Sequence, residues 1–261
     1  IEASKKITKP PFYSYGMALG LYPSDSLWST MEVVWAYGGT LVDSSGRPAL
    51  DSEGAVEGFS LINDMYNKHK IIPKGAISWN NGGNNKAYMS GQVAYALNPT
   101  SIYSSLLKNK SKYLDKTVLV PSPGGPDGRH RGLYTDYYGT FKNSPNPEIA
   151  KKLIEYLMRP ENYSKFVVNA AGRYFPVYPE LTNDPFWTSR PVFKDLIKTV
   201  NVGHTLYYPG KLTKAMGEVV MNTTVQKQLQ SMLVDGKSPA NAVADAHEDM
   251  VNIFKRNGEP V

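Results

Sequence analysis

The sequence predicts an α/β protein with few strands and many helices, and three observations carry that reading. Apolar residues recur at spacings of three and four in Val56, Phe59, Ile62, Met65 and Tyr66, and again in Ala242, Val243, Ala246, Met250 and Ile253, which is the period of a helix buried on one face. Runs of strand length, QVAYALN at 92–98 and TVLVP at 117–121, are too short for helices and are bounded by turn formers. Glycine and proline punctuate the chain at Gly38-Gly39, Arg159-Pro160 and Ser238-Pro239, where helices must stop or start.

Taken in order, residues 1–25 read as connecting chain around Pro10-Pro11. Asp25 or Ser26 then caps a helix through Ser29, Met31, Val33, Val34 and Trp35 that stops at Gly38-Gly39. TLVDSSGRPALDS reads as two short extended pieces about a Ser45-Gly46 turn, and Asp51 or Ser52 caps the amphipathic helix of Val56 to Tyr66. A short helix from Asn84-Asn85 to Gly91, the strand 92–98 and an Asn98-Pro99 turn into a third helix follow. TVLVP is expected as a buried strand, SPGGPDGRHRG as a loop at a lobe boundary, and YTDYYGTF as a strand. Asn146 is expected as N-cap with Pro147 at the first helical position, ahead of Ile149, Leu153 and Leu157. A helix carrying Tyr163, Phe166 and Val167 stops at Gly172, another spans about Pro185 to Val200, residues 211–235 are helical to Gly236, and a last helix follows Ser238-Pro239.

Composition excludes several classes. Hydrophobic residues make up 41% of the 261, enough for a packed core, and no run of 18 apolar residues is present. The chain starts at Ile1 with no apolar signal segment behind it, and is expected to be processed, trimmed or truncated. Zero cysteines exclude disulfides and thiolate chemistry, and point outside the cytoplasm. The net charge of +6 is dispersed, its densest groups being Lys5, Lys6 and Lys9, and Arg129-His130-Arg131; no basic stripe interleaved with aromatics is present, so no nucleic-acid partner is expected. His69, His130, His204 and His247 are scattered with no i, i+4 pair, Gly-x-Ser-x-Gly is absent, and Gly82-Gly83 lacks the Lys-Ser/Thr of a phosphate cradle. No metal and no cofactor are expected, and no catalytic residue is assigned.

What remains is WNNGGNNKAYMSGQVAYALNPTSIY at 79–103, dense in amides, hydroxyls and rings with Lys86 as its one charge. Such a surface suits a polar, uncharged ligand held without reaction: ring faces stack on the apolar side of a sugar while planar polar groups satisfy its hydroxyls. Trp28, Trp79, Asn80, Asn98, Ser101 and Tyr103 supply both kinds of group. Each tryptophan is a ligand platform or a core side chain; Trp35 is read as core. Asn80, Asn81, Asn84 and Asn85 also fit ordinary turns and caps.

The ordered segments WAYGGTLVDSSGRPALDSEGAVEG, AYMSGQVAYALNPTSIY, VPSPGGPDG, NPEIAKKLIEYLMRPENYSKF and AGRYFPVYPEL resemble the family 1 extracellular solute-binding proteins of ABC importers, the group containing maltose-binding protein. The resemblance runs from about residue 12 to about 255. It implies a periplasmic-binding-protein type II fold of two α/β lobes joined by crossing hinge strands, with a small polar solute, a sugar by preference, held in the cleft for import. It also implies that most of the first lobe has no counterpart here. Residues 1–132 are then the first part of the C-terminal lobe, 133–203 the returning part of the N-terminal lobe, and 204–261 the final helices of the C-terminal lobe. A periplasmic or extracellular location, permease subunits as partners, and either the missing N-terminal segment or another chain completing the first lobe are further implications.

By this resemblance Trp28 lies near a stacking aromatic of the family, and Asn98 stands where an Asn-Gly-aromatic motif meets ligand, although Pro99 replaces the glycine and no Trp follows. Tyr134, Asp136 and Tyr137 fall where a hinge strand enters the first lobe, and Arg173 lies in an AGR-x-x-P turn near the cleft rim. An alternative of another class is a glycan-active enzyme or lectin with a polar aromatic cleft, which a turnover assay separates from reversible binding.

Overall fold

The structure, a computed structural model, describes residues 1–198 and 203–261. In chain order it contains α1 (Glu2–Ile7), β1 (Tyr13–Gly16), α2 (Asp25–Ala36), α3 (Glu53–Asn63), α4 (Gly83–Met89), β2 (Val93–Ala96), α5 (Ser101–Lys108), α6 (Pro147–Met158), α7 (Pro160–Asn169), α8 (Pro185–Thr188), α9 (Pro191–Lys198), α10 (Lys214–Met221), α11 (Thr224–Asp235) and α12 (Pro239–Arg256). The chain divides into two compact units. The first comprises Ile1–Asn98, Pro121–Gly132 and Val202–Val261, the second Pro99–Val120 and Leu133–Asn201.

Unit one is built on helices packed about a short parallel pair. β1 and β2 align Tyr13 with Val93, Tyr15 with Tyr95 and Gly16 with Ala96, and residue 71 extends the pattern, its carbonyl accepting from Tyr15 N at 3.1 Å. α2 packs on α3, α3 on α12, and α12 on α10 and α11. Their facing residues Met31, Val34, Phe59, Ile62, Leu229, Val243, Met250 and Phe254 are sealed from solvent. The expected caps hold at α3, where Ser52 Oγ accepts from Ala55 N at 3.2 Å, and at α12, where Ser238 Oγ accepts from Asn241 N at 3.2 Å. The helix expected over 211–235 is broken into α10 and α11 at Thr223, whose positive φ of 51° interrupts the ladder. The segment 1–25, read as connecting chain, contains α1 and β1.

Unit two has its own smaller core of Tyr103, Tyr163, Val167, Trp187 and Phe193. Residues 99–120, expected with the first part of the C-terminal lobe, group here because α5 inserts Tyr103 into that core and Ser104 Oγ donates to the Ala170 carbonyl at 2.8 Å. The helix expected from Pro185 to Val200 is two short ones, α8 and α9, and Val200 lies outside the described residues. Asn146 precedes α6 without a side-chain cap bond, so Pro147 at the first helical position is the surviving part of that start signal.

The strands expected at 117–121 and 134–141 do not form. Val118 is 75% exposed, Val120 62%, Tyr137 81% and Phe141 89%, although their alternation suits a sheet face. A strand exists only with a neighbour to share its main-chain hydrogen bonds, and no ladder reaches these segments among the described residues. On α6, Ile149, Leu153, Tyr156 and Leu157 are exposed as well, whereas Val167 of α7 is fully buried.

Candidate ligand-binding site

In unit one the carboxyl ends of β1 and β2 lie side by side, where open α/β sheets place ligands. β1 runs on into Met17–Gly20 and a loop carrying the exposed Leu21 and Tyr22, which leads to the first turn of α2 at Asp25. β2 runs on into Leu97 and Asn98.

Asp25 is the hub of an amide knot at this end. Its main-chain N–H donates to Asn81 Oδ1 at 3.3 Å, and its Oδ2 accepts from Asn84 Nδ2 at 3.3 Å and from Asn98 Nδ2 at 3.5 Å. Asn84, sealed from solvent at the start of α4, also donates to the Leu97 carbonyl at 3.0 Å, and its Oδ1 accepts from Asn85 N at 2.9 Å. Asn98 donates to Asn85 Oδ1 at 2.5 Å. The density of asparagine at 80–98 therefore has a first cause in structure: it stitches β2, α4 and the start of α2 together. From α11, Gln226 Nε2 donates to the Tyr22 carbonyl at 3.2 Å, and Gln230 Nε2 to the carbonyls of Leu19 at 3.0 Å and Ile77 at 2.6 Å, fixing the loop after β1.

The expected site residues fall on both units. Trp28, one turn along α2 from Asp25, is half-buried against the core, edge-on to Trp35 at 6.3 Å between ring centroids. Trp79 is half-buried too, laid against the start of α4, where a Cβ on Gly83 would sit 2.3 Å from Trp79 Cβ; only glycine admits that approach. Trp79 and Asn80 line a shallow pocket of about 340 Å³ with Ser78, Lys86, Ser90 and Gln92. Asn80 is exposed and folds back to accept from Gly82 N at 3.0 Å, an Asx turn.

On unit two, Tyr103 is packed edge-on to Phe193 at 5.4 Å, and burial pushes its hydroxyl pKa up. It packs as a core side chain of unit two. Ser101 is likewise buried on α5. Tyr134, Asp136 and Tyr137 lie exposed on the segment that forms no strand. Arg173 is exposed beside the Tyr174 ring, 5.7 Å from its centroid, and its carbonyl accepts from Thr100 Oγ1 at 3.2 Å.

The sequence reading missed Asp25 as a hub and Gln226 and Gln230 as braces. An aspartate at a helix start reads as a cap, and no local pattern ties residues 226 and 230 to residues two hundred positions earlier. It also missed that His130 and His204, 74 positions apart, meet at 3.0 Å. Among the described residues no group of three His, Asp or Glu is arranged to hold a metal ion, and no helix is long and apolar enough to cross a membrane.

A two-unit α/β chain with polar side chains gathered at parallel strand ends defines a class, the bilobal solute-binding proteins. The family model "Bacterial extracellular solute-binding protein" matches residues 1–164, and the chain belongs to that family. A Brucella abortus (strain 2308) protein named only as a binding protein is 28% identical over 149 residues, 56% of this chain and 35% of its own length. A Deinococcus radiodurans protein named as an ABC transporter-binding protein is 22% identical over 209 residues, 79% of this chain and 46% of its own. Among solved structures, maltose-bound MalE3 of T. maritima superposes with a TM-score of 0.79 at 22% identity over 95% of this chain and 63% of that one. MalE of Bdellovibrio bacteriovorus bound to maltotriose gives 0.78 at 16% identity, over 97% and 65%. The fold is thus the type II periplasmic-binding-protein fold of the MalE proteins, and the chain spans about a third to a half of the curated relatives it matches and under two thirds of these solved chains.

Proposed function

We propose that the chain belongs to the solute-capturing component of an ABC importer, outside the cytoplasm, and that it holds a small, polar, uncharged solute, a sugar or polyol. The observation that carries this reading is the half-buried Asp25, Asn85 and Asn98 at the carboxyl ends of β1 and β2, held in place by the sealed Asn84. Side-chain amides and a carboxylate present planar donors and acceptors, which pair with vicinal hydroxyls at low cost, whereas an anionic solute would meet the Asp25 charge. Supporting it, similar solved structures hold maltose, maltotriose and ribitol, all polyhydroxylated and uncharged.

On this reading Trp28, Trp79, Asn80 and Asn98 are the candidate contacts of unit one, and Tyr134, Asp136, Tyr137 and Arg173 those of unit two. Permease subunits receive the solute. The uncovered apolar side chains of unit two, among them Val118, Tyr137, Phe141, Ile149 and Leu153, are read as the seat of further chain, from the same protein or another.

The test is calorimetric titration of the full-length gene product with maltose, ribitol and, as an anionic control, glycerol phosphate. Saturable binding of a neutral polyol without turnover, weakened by about 1–3 kcal/mol in Asn98→Ala, is expected. Hydrolysis of an oligosaccharide, or selective binding of the anion, would overturn the reading.

A further inference from the structure

The chain leaves unit one after Gly132 and returns to it at Val202. Just inside those two points, the outgoing and returning strands of chain are tied together. Gly132 and His204 form a parallel bridge, in which His204 N donates to the Arg131 carbonyl at 2.7 Å. Gly132 N donates to Glu32 Oε1 at 3.0 Å, and the other oxygen of the same carboxyl group accepts from Ser122 Oγ, so that one α2 side chain holds both ends of segment 121–132. A Cβ at Gly132 would lie 2.6 Å from the Trp28 ring, so the segment passes closely over α2. Across this junction His130 Nδ1 and His204 Nε2 are 3.0 Å apart, and His204 is held between the Tyr208 ring, stacked at 3.7 Å, and the edge of Trp35.

Two imidazoles share a hydrogen bond only if one supplies a lone pair, so at most one of the two is a cation. His130 Nε2 faces two acceptors of Asp127, the carbonyl at 3.2 Å and the carboxylate at 3.2 Å, and therefore carries a proton. One added proton still leaves a donor facing an acceptor across the contact. A second proton on His204 leaves two donors face to face and two like charges on adjacent rings.

We propose that the His130–His204 contact is a pH-sensitive latch on the paired crossings of unit one, closed while His204 is neutral and opened when both rings are protonated. The charged and titratable groups facing it are Asp127 on its own loop, Arg131 and Glu32 beneath the bridge, Arg129 beside Arg131, and Tyr208 against the His204 ring. Burial first, and the neighbouring His130 second, hold the His204 pKa below the ordinary histidine value. The sign follows: a lowered folded-state pKa means that the unfolded chain binds protons more readily, so the latch's contribution is complete above the unfolded value of about 6.5 and is lost as pH falls through the folded one. Glu32 works oppositely, since burial raises its pKa and favours its neutral form in the folded state.

The experiment is an NMR titration of the ring nitrogens of the whole chain between pH 8 and 4.5, with amide exchange at Gly132 and His204 corrected for the intrinsic pH dependence of exchange. His204 should titrate below the ordinary value of about 6.5, and protection of the two amides should fall at least tenfold across that step. His204→Phe keeps the ring stacking without a proton site, and His130→Gln keeps a neutral hydrogen-bonding partner. In either folded variant the protection should change less than twofold over the same range. Titration of His204 at the ordinary histidine value, or the same pH-dependent loss of protection in His130→Gln, would overturn the proposal.

Discussion

Asn84 and Asn80 are near neighbours of the same residue type with opposite structural weight. Asn84 is sealed from solvent and bonded to Asp25, Leu97 and Asn85, so Asn84→Ala should strand buried partners and cost about 1–3 kcal/mol, read from the urea midpoint. Asn80→Ala removes one exposed turn bond and should stay within about 0.5 kcal/mol of the parent. The stretch 79–103 announces its polarity in sequence, but not which amides are knotted inward. Burial separates Asn84 from Asn80, and that depends on α2 and β1, which come from elsewhere in the chain. Tyr103 teaches the same lesson in reverse: its place in a polar, aromatic run suggests a ligand platform, whereas its ring is taken up by Phe193.

Elements defined by local signals were legible. α3 and α12 show helical spacing, a serine cap and a buried stripe, all within one segment. Ser238→Ala should therefore cost about 1 kcal/mol through the lost cap, and Met250→Ala about 2–5 kcal/mol through the cavity it leaves between packed helices, both measurable by denaturant titration. Leu153→Ala on α6 carries the same helical spacing in sequence, yet lies on an uncovered face and should change stability by less than about 0.5 kcal/mol. Elements that need a distant partner were not legible. TVLVP and YTDYYGTF have strand composition, but a ladder requires a second chain segment, and none pairs with them among the described residues. β1 was missed for the complementary reason, since Tyr13–Gly16 gains its strand character from β2 eighty residues on.

At the scale of the molecule, unit two presents exposed Val118, Tyr137, Phe141, Ile149, Leu153 and Phe166 to water, and apolar surface of this kind drives association. Sedimentation velocity on the 261-residue chain alone should show mass increasing with concentration, and a Leu153→Lys, Phe141→Lys double variant should shift it back toward monomer without loss of helical signal. A monodisperse monomer at all concentrations would show that this face is harmless as it stands. The family order of segments, rather than any single residue pattern, made the bilobal plan readable from sequence; the two units intersect the chain at four points, and the residues that fill each core are contributed from both sides of those points.

That interleaving has a consequence for how the protein is made. The face of α3 bearing Phe59 and Ile62 packs on α12, which is synthesised well after it. Until then α3 has only α2 against it, while the whole second unit is translated in between. Late-arriving contacts of this kind delay folding and invite capture by holding chaperones.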